Sequence, residues 1–176
     1  MDPEGFVLDA NVLIDYWNAD RSILSLAARA LGPIHVPLPV LAKVDQLTHF
    51  DCEQAGLTLF EPSTEQLLEA GQGTTRLAFD DRICLIVCRD NHWTCLTNDK
   101  ALRRACTQLG IRIVWGLELM VRLVETRQLP PETALAVAEQ IHFINQAFVD
   151  RAVLESFRAK IHRFMPERRD TIKVES

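Results

Sequence analysis

The sequence lacks the long apolar stretch that a membrane-spanning helix requires. Such a helix needs about 20 predominantly apolar residues, and no run in this chain of 176 residues approaches that length. The opening stretch, MDPEGF, is acidic, whereas a secretory signal peptide begins with basic residues. A cytoplasmic location without a membrane partner is therefore expected.

Cysteine pairs with the spacing of a zinc site or a redox motif are also missing. The chain contains no C-x-x-C, and its odd number of cysteines leaves one unpaired in any full set of disulfides. Cys84 and Cys88 lie one helical turn apart, but no second pair of cysteines or histidines completes a zinc pattern. We expect reduced, buried and inert thiols.

An overall excess of basic residues is absent as well. The net charge is -5, from 24 acidic and 19 basic residues, so the chain lacks the bulk positive charge of many nucleic-acid-binding domains. Residues 151–176 hold seven Lys or Arg and four acids, which leaves a charge of -8 on residues 1–150. Acids clustered at a metal site produce such an acidic body, and so does an ordinary solvated surface.

The sequence does contain an alternation of short apolar strands and amphipathic helices. Its apolar share of 48% is enough to bury a core of ordinary size. Apolar runs predict strands at residues 6–9, 34–36, 57–60, 93–97 and 111–115, with helical periodicity between them. This alternation predicts an α/β fold in which a central parallel sheet is covered on both faces.

After Pro130 and Pro131 the pattern changes to helices alone. Two apolar stripes at helical spacing predict a C-terminal helical hairpin. We therefore expect a body over residues 1–128 and an extension over residues 129–165 that packs on the body or on a second subunit. The remaining residues, 166–176, are expected to form a flexible tail.

Several acids fall where predicted strands end or helices begin. Asp9 ends the first strand, Asp99 follows the strand at 93–97, and Asp80 or Asp81 opens the helix before that strand. Strand ends and the helix starts that follow them share the ligand-binding edge of a parallel sheet. Carboxylates gathered there suit a divalent cation and metal-assisted phosphodiester hydrolysis. Isolated acids at helix starts are equally typical of helix caps.

Four stretches, taken in order, resemble the motifs of PIN-domain proteins, a family that includes the ribonuclease toxins of toxin–antitoxin pairs. The stretches are LDANVLIDYW, VPLPVLAKVDQL, LAFDDRICLIVC and CLTNDKALRRA. The resemblance implies a PIN-like three-layer sandwich over residues 1–128. It also implies an endoribonuclease that hydrolyses RNA with Mg²⁺ or Mn²⁺, forms a homodimer and has a cognate antitoxin protein as its partner.

The resemblance further assigns roles to individual residues. Asp15 is expected to be a surface or capping residue, and Asp81 matches the family's register better than Asp80. The expected metal ligands are Asp9, Asp81 and Asp99. The expected supporting residues are Asn11, Thr97 and Asn98. The basic residues Arg82, Lys100, Arg103 and Arg104 are expected either to contact RNA phosphates or to form solvated helix faces.

Position 43 departs from the family pattern. Lys43 stands on a helix predicted over residues 40–50, where the family usually has a glutamate, and an ammonium group has no acceptor for a cation. It could instead occupy part of the metal's position and pair with the acids. Asp45 is a poor substitute, because two residues turn a helix by about 200°. Two functions stay open: an endoribonuclease with impaired activity, and an inactive PIN-like module that binds RNA or protein.

Overall fold

A computed structural model of the chain describes residues 4–73 and 76–165. The strands in these ranges are β1 (Phe6–Leu8), β2 (Ile34–Pro37), β3 (Thr58–Phe60), β4 (Thr94–Leu96) and β5 (Ile113–Val114). The helices in these ranges are α1 (Ala10–Asp20), α2 (Ser22–Ala30), α3 (Leu38–Leu41), α4 (His49–Gln54), α5 (Thr64–Gln72), α6 (Phe79–Asn91), α7 (Lys100–Gln108), α8 (Glu118–Glu125), α9 (Pro131–Ile144) and α10 (Arg151–His162).

The five strands form one sheet in the order β3-β2-β1-β4-β5, and every pairing is parallel. From β1 the chain runs outward through β2 to β3, and it then crosses to β4 and β5 on the other side of β1. The order of the strands therefore reverses between β1 and β4. In open parallel sheets this reversal creates a crevice at the carboxyl ends of the two strands, where ligands bind.

Helices cover both faces of the sheet. Helices α6 and α7 pack against β1, β4 and β5, and α2 packs against β2 beside α1 and α8. The central strand is buried on both sides, since Phe6, Val7 and Leu8 are each at most 1% exposed. This confirms the predicted α/β fold with a central parallel sheet, and the layers are consistent with a PIN-like three-layer sandwich.

The last two described helices pack against each other and complete the expected helical hairpin. Helix α9 contacts α1 and α8, and α10 contacts α8, so both helices lie on the body of the same chain. Their contact faces carry the apolar stripes seen in the sequence, including the buried Ile141 and Phe157. The tail predicted over residues 166–176 lies outside the described residues.

The prediction of one continuous helix over residues 40–50 is wrong. Helix α3 ends at Leu41, and α4 begins only at His49. A capping box starts the second helix, because the Thr48 hydroxyl accepts from the Asp51 backbone N–H while the Asp51 carboxylate accepts from the Thr48 N–H. Lys43 consequently lies in a turn between the two helices.

All five cysteines are buried and free, as the sequence predicted. In the part of the chain that the structure describes, no helix has both the length and the apolar character needed to cross a membrane.

Candidate active site

Asp9 lies at the switch point of the sheet, directly beyond β1, and its side chain is fully buried. Its backbone N–H donates to the Leu96 carbonyl at 3.1 Å, which extends the pairing of β1 with β4 up to the site. Its Oδ1 accepts from the Val12 N–H at 2.8 Å and caps α1. Its Oδ2 accepts a hydrogen bond from the Thr97 hydroxyl. Asp9 therefore caps α1 and also contacts the residue that follows the neighbouring strand β4.

The pKa of Asp9 is raised to about 7. Burial is the main cause, because it penalises the charged form, and the nearby charges of Asp81 and Asp15 raise the pKa further. The hydrogen bonds from Thr97 and Val12 act in the opposite direction, since they stabilise the carboxylate. A buried acid that titrates near neutral pH is a frequent feature of functional sites.

Asp81, in the first turn of α6, is electrostatically coupled to acids on other elements. Its pKa is raised to about 6, first by burial and then by the charges of Asp80 and Asp99. Its own charge in turn raises the pKa of Asp9. Asp81 thus interacts with an acid after β1 and an acid after β4, which supports its choice over Asp80.

Asp99 and Thr97 complete the acidic edge beyond β4. Asp99 caps α7, because its Oδ1 accepts from the Leu102 N–H at 2.7 Å. The backbone N–H of Asp99 donates to the Thr97 hydroxyl at 3.0 Å. Since the same hydroxyl donates to Asp9, the fully buried Thr97 connects the acids that follow the two central strands.

Asn98 supports the loop after β5. Its Oδ1 accepts from the Gly116 N–H at 2.9 Å, and the buried Tyr16 hydroxyl donates to the Gly116 carbonyl at 2.5 Å. A Cβ atom on Gly116 would lie 2.7 Å from Asn98 Nδ2, so this approach requires glycine. Asn98 therefore positions the segment after β5 beside Asp99. Asn11, the other expected supporting amide, is half-buried in the first turn of α1.

The expectation that Asp15 is a surface or capping residue is wrong. Its side chain is buried because α9 packs over α1. Asn145, at the end of α9, donates to Asp15 Oδ1 at 2.8 Å, while Oδ2 is buried without a hydrogen-bond partner among the described residues. Burial raises the pKa of Asp15 to about 6, against the opposing effect of the Asn145 hydrogen bond.

Lys43 does not pair with the acids. Its side chain is exposed in the turn after α3, and within the described ranges it forms no ion pair. Asp45, in the same connection, is also exposed. Both residues come soon after α3, which directly follows β2, so they lie in the connection that leaves the carboxyl end of that strand.

The four predicted RNA-contacting residues divide into two kinds. Lys100 and Arg104 are exposed on α7. Arg82 instead donates to the Ala70 and Leu77 carbonyls at 2.6 and 2.7 Å, and it thereby connects the end of α5 to the segment before α6. The Arg103 guanidinium stacks on the Trp115 ring at 3.5 Å from its centroid.

The acids of this edge suit a divalent ion that is bound by only one or two protein carboxylates. Within the described residues, no three His, Cys, Asp or Glu side chains converge closely enough to hold a metal by themselves. Mg²⁺, however, usually binds through one or two carboxylates and completes its shell with water and substrate phosphate. Asp9 and Asp81, two coupled carboxyl groups at the switch point, are donors of that kind.

Trp115 is a residue of this edge that the motifs did not single out. It directly follows β5 and is 45% exposed, with one face against Arg103. Its position at the end of the strand predicted over residues 111–115 placed it at the carboxyl edge. The stacking partner could not be read from the sequence, because it depends on how α7 packs against β5.

A comparison with models of protein families gives no match, and a comparison with curated proteins gives none either. The fold and the site define an α/β protein with coupled acids at the switch point of a parallel sheet.

Proposed function

We propose that the chain is a metal-dependent endoribonuclease of the PIN type, which hydrolyses RNA phosphodiester bonds at the carboxyl ends of β1 and β4. The observation that carries the proposal is the coupling of three carboxyl groups: Asp81 raises the pKa of Asp9, and Asp99 raises that of Asp81. Like charges brought together in this way are unfavourable unless a cation offsets them. The resemblance of the four sequence motifs points to the same chemistry.

The residues of the site have distinct roles in this proposal. Asp9 and Asp81 hold the divalent ion, Mg²⁺ or Mn²⁺, and Asp99 stands beside them. When bound, the ion supplies an activated water and positive charge for the developing oxyanion. Thr97 orients the Asp9 carboxylate through its hydroxyl. Lys100 and Arg104, exposed on the helix that Asp99 caps, are available to the RNA backbone.

The proposal includes a homodimer and a cognate antitoxin as partners. Support comes from apolar side chains left in solvent at the end of α9, where Phe143 is 80% exposed and Ile144 is 48% exposed. Neighbouring apolar side chains on a surface are typical of protein contacts. Light scattering on the purified chain tests the dimer, and Phe143→Ser should shift the chain toward the monomer if this surface is used.

A second candidate is a catalytically inactive PIN-like module that binds RNA or a protein. It is favoured by Lys43 at the position of the family's glutamate and by the lack of a closed set of three metal ligands among the described residues. This module would bind RNA without cleaving it and would bind divalent ions weakly.

One experiment separates the two candidates: Mn²⁺ binding by calorimetry and cleavage of an end-labelled single-stranded RNA. The chain is compared with Lys43→Glu, Asp9→Asn and Asp99→Asn. The nuclease proposal expects tighter Mn²⁺ binding and faster cleavage for Lys43→Glu, and loss of cleavage for both asparagine variants.

The matched control is Arg29→Glu, which reverses an exposed charge at the end of α2, on the opposite edge of the sheet. This variant should leave both readouts unchanged. If the Lys43→Glu chain binds Mn²⁺ but cuts no RNA, the nuclease proposal is overturned in favour of the binding module.

A further inference from the structure

We propose that the cavity beside Trp115 binds one nucleobase of a single-stranded RNA, stacked on the Trp115 indole. This inference rests on the proposed function, since it adds a base-binding pocket next to the phosphodiester site. The pocket would fix one nucleotide of the strand while the neighbouring phosphates pass the acids.

Trp115 is held next to the acidic edge through α7. The Arg103 backbone N–H donates to the Asp99 carbonyl at 3.0 Å, so Arg103 lies one helical turn beyond that acid. Its guanidinium carbon lies 3.5 Å from the centroid of the Trp115 ring. The cation covers one face of the indole, while the side chain as a whole is 45% exposed. Part of an anchored aromatic ring is therefore left for a ligand.

The loop that carries Trp115 is fixed before any ligand arrives. The next residue, Gly116, is held on both sides of its backbone, by Asn98 at 2.9 Å and by the Tyr16 hydroxyl at 2.5 Å. Both of these side chains are buried. A ring positioned in this way loses little conformational freedom when a base stacks on it, which favours binding.

The cavity that Trp115 lines has the size and lining of a base pocket. Its volume is about 400 Å³, and it lies between the segment after β5 and helix α10. Leu117, Val153 and Phe157 supply apolar walls, while Ser156 offers a hydroxyl. A nucleobase combines a flat apolar face with a hydrogen-bonding edge, and aromatic side chains are the usual platform for bases in single strands.

The charges around the cavity favour a base over a phosphate. Among the described residues that line it, Glu118 and Asp150 are acidic and Lys160 is basic, and Lys160 Nζ lies 2.5 Å from Glu118 Oε2. A phosphate would face two carboxylates and an ammonium group that is already paired. A neutral base meets both a donor and acceptors.

Binding of a fluorescein-labelled single-stranded RNA, followed by anisotropy in EDTA, tests the pocket without any cleavage. We expect Trp115→Ala to weaken binding by roughly tenfold, whereas Trp115→Phe keeps most of the affinity. A strand of the same length without bases should bind the chain and Trp115→Ala equally. Leu109→Ala, an exposed apolar position at the far end of α7, should change nothing.

The proposed base pocket is wrong if the chain and Trp115→Ala bind RNA equally well. It is also wrong if the chain itself binds no RNA. Circular dichroism and an unchanged Mn²⁺ affinity confirm that the variant is folded. If Trp115→Ala cleaves RNA with an unchanged KM, the base pocket is wrong and the nuclease proposal stands. If RNA binding depends on Trp115 but neither the chain nor Lys43→Glu cleaves RNA, the base pocket stands and the nuclease proposal is wrong.

Discussion

Thr97 donates its hydroxyl hydrogen to the Asp9 carboxylate, although the two residues lie 88 positions apart in the chain. The parallel pairing of β1 with β4 makes this contact possible, because Leu8 and Leu96 lie opposite each other immediately before them. The same hydroxyl accepts the backbone N–H of Asp99. One side chain therefore sets the spacing between the acids that follow the two central strands.

Replacing Thr97 with valine, which keeps the shape and removes the hydroxyl, should raise the pKa of Asp9 above its value of about 7. The reason is that the hydrogen bond from Thr97 stabilises the charged form. The buried Asp9 carboxylate and the half-buried Asp99 N–H also lose a hydrogen bond, so the free energy of unfolding should fall by about 1–3 kcal/mol. Carbon NMR of the Asp9 carboxyl group and urea unfolding measure the two effects. Thr97→Ser, which keeps the hydroxyl, should preserve the pKa.

Divalent ions should bind more tightly as the pH rises from 6 to 8. Metal ligands must be deprotonated, and the pKa values of Asp81 and Asp9 are raised to about 6 and about 7. Calorimetric titration with Mn²⁺ across this range should show the affinity increasing and then levelling off. An affinity that stays constant between pH 6 and 8 would contradict the involvement of these two acids.

Without metal, the folded chain should lose stability as the pH rises from 3.8 toward about 7. The Asp9 pKa is 3.8 ordinarily and about 7 in the folded protein, so the folded state binds the proton more tightly than the unfolded state does. The contribution of Asp9 protonation to the free energy of unfolding is therefore full below pH 3.8 and is lost progressively toward pH 7. Urea unfolding in EDTA should show a weaker pH dependence for Asp9→Asn, because this variant has no carboxyl to ionise.

Asn145→Ala should destabilise the contact between α9 and α1. Asn145 provides the hydrogen bond to Asp15 Oδ1, and the other carboxyl oxygen is already buried without a partner among the described residues. Leaving both oxygens unpaired should cost about 1–3 kcal/mol in the free energy of unfolding. Gln146→Ala, at the exposed next position, is the control and should stay within about 0.5 kcal/mol of the parent chain.

Gly116→Ala should disturb the loop after β5 without touching any acid. The added methyl group would lie 2.7 Å from Asn98 Nδ2, so Asn98 or the loop must move. We expect weaker binding of single-stranded RNA in EDTA, with little change in Mn²⁺ affinity. Asn98→Ala, which removes the partner of the Gly116 N–H, should have the same pattern. Unchanged RNA binding in both variants would show that the loop after β5 takes no part in RNA binding.

Much of the fold could be predicted from the sequence, because short strands alternate with amphipathic helices and each pattern acts locally. All five predicted strands are present. The break after α3 was missed, since the apolar spacing continues through residue 47. There the Thr48–Asp51 capping box prevailed over the periodicity.

The site could be predicted only where a side chain's position follows from its own strand or helix. Asp9 and Asp99 follow strands whose carboxyl ends share one edge of the sheet, so their placement at that edge was expected. The burial of Asp15 and the stacking of Arg103 on Trp115 depend on how separate elements pack. Sequence spacing carries no information about contacts of that kind.

The pairing of β1 with β4 has a consequence for the newly made chain. Asp9 leaves the ribosome 88 residues before Thr97, and synthesis at 5–20 residues per second makes this interval roughly 4 to 18 s. Throughout that time the end of β1 has no neighbouring strand on this side, and the carboxyl of Asp9 stays hydrated. The acidic edge can be assembled only after the chain has been translated as far as Asp99, just past its midpoint.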